Sequence, residues 1–241
     1  MIRVRRWKTV RALAALCIAC AGLGTAMGQQ PYSQAILQKI DAAVKARLDE
    51  IAEYTVTEHY SVFRSGDEAH PVAEMTVKTT YKRDTGKSYI VLSESGSALI
   101  RNLVLGAILD NEKQINAPGV REGSWITTAN YEMKVKPGGI QKMDGRDCVA
   151  LALTPLRKTP YLVEGTLWVE AKDGNIVQLE GKASRSSSIL TGPTQMMRQY
   201  KDIDGFAEAT HARAESDSFL FGRTVVTIDY QGYQIQHGTN H

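Results

Sequence analysis

The residues of this sequence that could do covalent or proton-transfer chemistry are few and scattered. Cys148 is the one cysteine beyond the amino-terminal segment, and no histidine stands at a spacing typical of a thiol nucleophile and its base. His59 and His211 each stand alone in a run that alternates like a strand. Glu164 and Glu170 share one face of a predicted strand, where alternating charged residues usually meet solvent. The sequence therefore predicts no enzyme active site.

Two further polar groups have the composition of a ligand site but not its context. His237 and His241 have the spacing of a metal-binding pair on a helix, yet the polar tail that carries them has no helical pattern. The run Ser184–Ser188 lacks the glycines and the following lysine of a phosphate-binding loop. We therefore expect no metal and no cofactor.

The first 28 residues are typical of a secretory signal. Basic residues are spread over Met1–Arg11, an apolar run covers Ala12–Leu23, and Ala26-Met27-Gly28 forms a small-x-small cleavage site. The apolar run is short for a membrane-spanning helix, which needs about 20 residues. We expect cleavage near Gly28 and an exported, periplasmic protein with a single domain over residues 29–241. A retained amino-terminal anchor is the alternative.

Two features of this segment are also found in other kinds of export signal. Arg5-Arg6 suggests twin-arginine export, but the flanking residues fit that signal poorly. Cys20 follows Ile18-Ala19 and would suit lipid anchoring, yet Cys17 stands where a lipoprotein signal usually has leucine. A cysteine that belongs to the apolar run of an ordinary signal is the favoured interpretation.

Removal of the signal reverses the sign of the net charge. The full chain of 241 residues has 29 Lys and Arg against 26 Asp and Glu, a formal charge of +3. The signal contains five of the basic residues and no acidic one, so residues 29–241 have 24 basic and 26 acidic residues, a charge of −2. This balance argues against nucleic-acid binding. The remaining thiol, Cys148, cannot form an internal disulfide and is expected to be a small core residue.

Over most of the chain, apolar and polar residues alternate as is typical of antiparallel β-strands. The segment Pro160–Ser184 predicts the central hairpin. Leu162–Glu170 forms one strand, Asp173-Gly174 supplies a tight turn, and Ile176–Glu180 begins the return strand. The other predicted strands are Tyr54–Arg64, Val72–Arg83, Ser88–Ser93, Ser124–Lys136, Ile140–Met143, Arg146–Pro155, Met196–Lys201, Phe206–Ser216 and Arg223–Ile235. About eleven strands joined by short turns predict a large, curved antiparallel sheet.

Two segments have helical patterns. Ser33–Ala52 is amphipathic, with Ser33 as its N-cap and an apolar stripe that includes Ile36 and Ile40. Ser97–Lys113 interrupts the strands and is apolar nearly all round, so it is either a buried core helix or a mobile lid over an apolar surface. Together they would cover the concave face of the sheet, which gives the fold class α+β.

In this order of elements the chain resembles the lipoprotein localisation factors of the Gram-negative envelope. The resemblance covers most of Gln29–Ile235 and rests on the helix, the strands, the helical insertion, and segments such as GTLWVEAKDGNIVQLEG and DGFAEATHARAES. It implies an unclosed half-barrel with helices on its concave face, and a role in outer-membrane biogenesis by lipoprotein sorting and transport. The family's carrier uses an arginine on an early strand, but Arg64 ends its predicted strand and does not match that position.

The resemblance implies a periplasmic carrier or sensor that binds lipid acyl chains or lipoproteins in an apolar cavity, with transient membrane contact. The expected lining residues are apolar or aromatic: Met75, Val77, Tyr81, Leu99, Leu103, Leu109, Trp125, Tyr131, Met133, Val149, Leu151, Leu167 and Val169. Each is also a normal core residue. The alternative is an envelope interaction or scaffold module that has a filled core, no ligand and a protein partner.

Overall fold

The structure, a computed structural model, describes residues 29–185, 194–218 and 222–238, so the predicted signal lies outside the described residues. Helix α1 (Gln29–Glu50) leads directly into the first of ten strands. The strands are β1 (Ile51–Arg64), β2 (Ala73–Lys82), β3 (Gly86–Gly96), β4 (Tyr131–Met143), β5 (Arg146–Pro155), β6 (Val163–Glu170), β7 (Ile176–Ala183), β8 (Gln195–Ile203), β9 (Phe206–Ser218) and β10 (Gly222–His237).

The ten strands form one antiparallel sheet in the order β3-β2-β1-β10-β9-β8-β7-β6-β5-β4. The sheet is not closed, because β3 and β4 are its two edges. Helix α1 contacts β1, β9 and β4, and a helix can reach both an edge and the middle of so wide a sheet only if the sheet curls around it. The predicted α+β half-barrel with helices on its concave face is confirmed.

The sequence predicted about eleven strands because it divided β4 in two. The structure has one strand there, in which Pro137-Gly138-Gly139 belongs to a large bulge: the register passes from Val135↔Leu151 to Ile140↔Val149. Four residues of β4 therefore stand opposite one residue of β5. The predicted strand Ser124–Lys136 begins too early. Tyr131–Lys136 belongs to β4, but the Asn130 amide donates to the carbonyls of Glu122 and Trp125 at 2.8 Å each and holds the preceding segment in a compact loop.

The helices differ from the prediction at their ends. Helix α1 spans Gln29–Glu50 instead of Ser33–Ala52, so Ser33 is not its N-cap, and Ile51 already belongs to β1. The insertion consists of α2 (Ala98–Ile100), a π-helical stretch (Arg101–Gly106) and α3 (Ala107–Ile115). We refer to residues 98–115 together as the insertion helix. The Ser97 hydroxyl accepts from the Ile100 amide at its start.

Two apolar clusters hold these helices against the sheet. Ile36 and Ile40 of α1 pack with residues of β4–β7 such as Leu167. Leu105 and Leu109 of the insertion helix pack with residues of β1, β2, β9 and β10. The helices therefore cover different halves of the concave face, and a space remains between them.

The predicted hairpin between β6 and β7 fixes α1. Gly174 has φ +81°, and a methyl group added there would lie 2.5 Å from the carbonyl carbon of Lys39 in α1. The Lys39 ammonium donates to the Ala171 carbonyl at 2.9 Å beside the same turn. Glycine is therefore required both by the turn and by the close approach of the helix.

This close approach predicts a difference between two matched Asp-Gly turns. Gly205 has φ +87° and open space around it. We expect Gly205→Ala to lower the free energy of unfolding by about 1–2 kcal/mol, through backbone strain alone. Gly174→Ala should lower it by about 1–3 kcal/mol more, because α1 must also shift. Urea unfolding of both variants measures the difference, and equal losses would contradict the packing of α1 on this turn.

Candidate functional site

A cavity of about 340 Å³ lies between α1, α3 and the concave face of the sheet. Its wall includes residues of α1, α3, β1–β4, β6–β10 and the segment that precedes β4. Ligand sites in proteins usually measure about 300–1,000 Å³. The cavity is therefore large enough for one small ligand or for part of a larger one.

The apolar residues of the lining, which we call the apolar half, are aliphatic or aromatic, and Val163, Leu179 and Met196 among them pack in the cluster beneath α1. Strands β6 and β7 contribute apolar side chains to it, and α1 faces them. The apolar half consists of Val44, Leu48, Ile115, Trp125, Ile126, Pro160, Val163, Ile176, Leu179 and Met196. The sequence resemblance implied an apolar cavity, and ligand binding by these residues stays a prediction.

The lining also contains seven charged residues, which we call the charged half and which the sequence analysis did not predict. They are Arg47, Glu58, Lys87, Glu112, Arg121, Arg198 and Glu208. The expectation of an apolar and aromatic lining is therefore incomplete. Isolated charges are costly in such a place, so their pairing decides what the cavity can bind.

Arg47 and Glu208 form a two-point ion pair between α1 and β9. The Arg47 Nε and Nη2 atoms donate to the two carboxylate oxygens of Glu208 at 2.7 and 2.9 Å. The Glu208 side chain is only 3% exposed. Burial opposes the charge of Arg47, but Glu208 outweighs it and raises the pKa of the guanidinium. Arg47 and Glu208 therefore neutralise each other and link α1 to β9.

Glu112 of α3 is shared by two cations. Lys87 of β3 donates to its Oε2 atom at 2.8 Å, and the Arg198 Nη2 atom of β8 lies 3.5 Å from its Oε1 atom. Burial alone would raise the pKa of Glu112, but Lys87 and Arg198 outweigh it and lower the pKa to about 2. Glu112 therefore ties the insertion helix to both sides of the cavity.

Tyrosines surround these charges. Tyr54 and Tyr81 stack with ring centroids 5.0 Å apart, and the Arg121 guanidinium donates to the Tyr81 hydroxyl at 3.1 Å. Burial raises the pKa of Tyr230 and of Tyr233. The Tyr233 hydroxyl donates to the Ala209 carbonyl at 2.9 Å, whereas Tyr230 lies beside Arg198. The charged half can therefore bind a polar group through cations and hydroxyls together.

The structure brings some of the sequence-predicted lining residues together at this cavity and places the others elsewhere. Tyr81, Trp125 and Tyr131 line it. Leu99 and Leu103 lie on the outer side of the insertion helix, 64% and 53% exposed. The remaining predicted residues lie in the two apolar clusters beneath the helices: Met75, Val77, Leu109, Met133, Val149, Leu151, Leu167 and Val169. Ligand contact by any of them stays a prediction.

Two residues of the charged half can be recognised from the alternation of residues along their strands. In β1, Glu58 occupies the apolar parity between Val56 and Tyr60, and in β8 Arg198 alternates with Met196 and Tyr200. A charged residue at an apolar parity indicates a polar group on the concave face. Helix residues such as Arg47 and Glu112 gave no comparable signal, because their partners lie far away in the sequence.

The residues considered for catalysis remain apart from the cavity. Cys148 is fully buried, and burial raises the pKa of its thiol, as in a core residue. His59 and His211 face the opposite side of the sheet from Tyr60 and Ala212. Within the residues that the structure describes, no cluster of three or more histidine, cysteine or acidic side chains suits a metal ion.

No protein-family model and no curated protein sequence matches the chain. Solved structures similar to it include a DUF1329 family protein from Desulfovibrio piger, with 15% identity, a TM-score of 0.47, and coverage of 85% of this chain and 95% of that one. A LolA superfamily protein from Nitrosomonas europaea has 15% identity, a TM-score of 0.43, and coverage of 85% and 93%. A Vibrio parahaemolyticus protein domain described as outer-membrane lipoprotein-sorting has 14% identity, a TM-score of 0.47, and coverage of 88% and 95%.

These similar structures include proteins of the superfamily that the sequence resembles.

The buried ion pair predicts a large effect on stability. Glu208→Ala should lower the free energy of unfolding by about 3 kcal/mol, because it leaves Arg47 unpaired inside the protein. Glu132→Ala is the control, since Glu132 contacts Lys134 at 2.7 Å with side chains that are 53% and 74% exposed. That variant should change stability by less than about 1 kcal/mol. Similar losses in chemical denaturation would show that the Arg47–Glu208 pair is not sequestered.

The lowered pKa of Glu112 predicts acid sensitivity. Its carboxylate contributes stability that is complete above its ordinary pKa of 4.5 and is lost as pH falls towards 2. The contribution is on the order of 3 kcal/mol. Glu112→Gln should therefore be less stable at pH 7 and lose less stability on acidification. Unfolding curves between pH 7 and pH 2 test this, and parallel pH profiles of the two proteins would contradict it.

Proposed function

We propose that this protein is an exported carrier or sensor that binds the acyl chain of a lipid or lipoprotein in the cavity of its half-barrel. The observation that carries the proposal is the apolar half, the aliphatic and aromatic residues that α1, α3, strands β6–β8 and the segments before β4 and β6 contribute to the cavity. Each methylene transferred there from water would contribute about 0.8 kcal/mol. A chain of moderate length can therefore be held usefully without any covalent step.

The composition of the wall supports an adaptable ligand site. Met196 and Trp125 stand among branched aliphatic residues, and both side chains can contact chains of different length and shape. The sides of the cavity come from α1 and from the insertion helix, which are held by side chains instead of by sheet hydrogen bonds. Movement of the insertion helix would give a ligand a way in and out.

Export rests on the predicted signal and on the kind of fold. Within the described ranges, no helix has the length and apolar character that crossing a bilayer requires. A periplasmic protein of this kind would meet membranes transiently to load or release its ligand. Cys148, His59 and His211 lie outside the cavity lining, and we propose no catalytic step.

A second candidate function is an envelope interaction module, and one observation favours it. Strand β3 is an edge of the sheet, and its Ile90, Val91 and Leu92 side chains are 69%, 42% and 56% exposed. An apolar edge strand can pair with an extended segment of a protein partner. In this case the cavity would be incidental, and wild-type protein would bind no acyl chain.

Acyl-chain binding is tested by filling the apolar half. Val44 of α1 lines the cavity, whereas the Lys45 side chain is 74% exposed on the same helix. We expect wild-type protein to bind dodecanol and dodecanoate in calorimetric titrations, and Val44→Trp to lose both by tenfold or more, because the indole fills the space. Lys45→Trp should bind as wild type does. If wild-type protein binds neither compound, the interaction module becomes the better account.

A further inference from the structure

Arg198 interrupts an apolar row on the concave face of the sheet. It lies opposite Leu179 of β7 on one side and Ala212 of β9 on the other. The row continues from Ala212 to Ile228 of β10 and Tyr60 of β1. A guanidinium in the middle of such a row is unfavourable unless an anion accompanies it.

Arg198 shares its anionic partner, Glu112, with a second cation. Glu112 lies 3.5 Å from its Nη2 atom, but the same carboxylate accepts a hydrogen bond from Lys87 at 2.8 Å. Tyr200 and Tyr230 also favour the charged form of Arg198. Arginine has five N–H donors, more than one shared carboxylate can accept.

Arg198 is the most exposed of the three charged groups that meet here. Its side chain lines the cavity and is 38% exposed, more than Lys87 at 15% or Glu112 at 18%. Two other cations of the lining each have a carboxylate of their own: Arg47 pairs with Glu208, and Arg121 lies 3.4 Å from Glu122. Lys87 and Arg198, in contrast, share Glu112.

Arg198 also stands where the charged half meets the apolar half. Leu179, its partner across the strands, and Met196, two residues before it on β8, both belong to the apolar half. A ligand group bound at Arg198 therefore has an apolar wall directly beside it. This arrangement suits an amphiphile with an anionic head and an acyl tail.

We propose that Arg198, assisted by Lys87, binds a carboxylate or phosphate head group of an amphiphile whose acyl chain occupies the apolar half. The inference deepens the proposed function, on which it rests, by naming the ligand class and its orientation. In the ligand-free protein the Glu112 carboxylate occupies part of the place that the ligand's anionic oxygens would take.

The test compares four 12-carbon compounds that differ in the head group: dodecanoate, dodecyl phosphate, dodecanol and dodecyltrimethylammonium. Titration calorimetry below their critical micelle concentrations should show both anions binding at least about tenfold more tightly than dodecanol, the value of one charge-assisted hydrogen bond. The cation should bind most weakly. Acetate and inorganic phosphate alone should bind at least 100-fold more weakly than the anions with chains, which separates a lipid head group from a free anion.

Variants assign the preference to Arg198. Arg198→Met should bind dodecanoate and dodecanol equally, and Arg198→Lys should retain part of the preference for the anion. Glu112→Gln should strengthen dodecanoate binding, because it removes the competing carboxylate. The matched control is Arg213→Met on the neighbouring strand β9, where Arg213 pairs with Glu68 at 2.7 Å on an exposed surface. This control should keep the wild-type preference.

The possible outcomes separate the two proposals. If all four compounds bind equally well, the head-group site is overturned and acyl-chain binding stands. If none binds, both proposals fail. A preference for anions that persists unchanged in Arg198→Met, with the variant folded by circular dichroism, would overturn the assignment to Arg198. Tight binding of phosphate or acetate without a chain would overturn the amphiphile as the ligand class.

Discussion

The pairing of the first strand with the last is the interaction on which the rest of the structure depends. Strand β1 pairs with β10 from Ile51↔His237 to Arg64↔Thr224, and so joins the β1–β3 meander to the β4–β10 meander in one sheet. Because α1 ends at Glu50 and β1 begins at Ile51, the same pairing places the helix. The Gly238 amide donates to the Glu50 carbonyl at 2.7 Å and closes this junction. The cavity lies over the seam between the two meanders.

The charges of the cavity come from both meanders: Glu58 and Lys87 belong to the first, and Arg198 and Glu208 belong to the second. Buried ion pairs are usually no more stabilising than well-packed apolar side chains of the same size. A protein that needed only a filled core would therefore gain little from the shared Glu112 carboxylate or from Arg198 at the centre of an apolar row. The arrangement favours the proposed site, in which the charged half contacts an anionic head group and the apolar half contacts an acyl tail.

Strand alternation and turn chemistry predicted the fold because both are local. The alternation of Val163, Leu167 and Val169 and the Asp173-Gly174 turn placed the central hairpin correctly. The bulge around Pro137 misled the prediction, since glycine and proline suit a bulge as well as a turn. The Arg47–Glu208 pair could not be predicted, because the two residues are 161 positions apart and meet only through the β1–β10 pairing and the curl of the sheet. The exposure of Leu103 depended likewise on how the insertion helix is rotated.

Native mass spectrometry tests directly whether the cavity holds an amphiphile. The protein is purified from a periplasmic fraction without detergent, and part of the same sample is extracted with organic solvent. Binding of an acyl chain with an anionic head group predicts a bound mass that extracts as a lipid and that carries a carboxylate or phosphate. A mass equal to that of the polypeptide alone, unchanged after incubation with membranes, would contradict such binding.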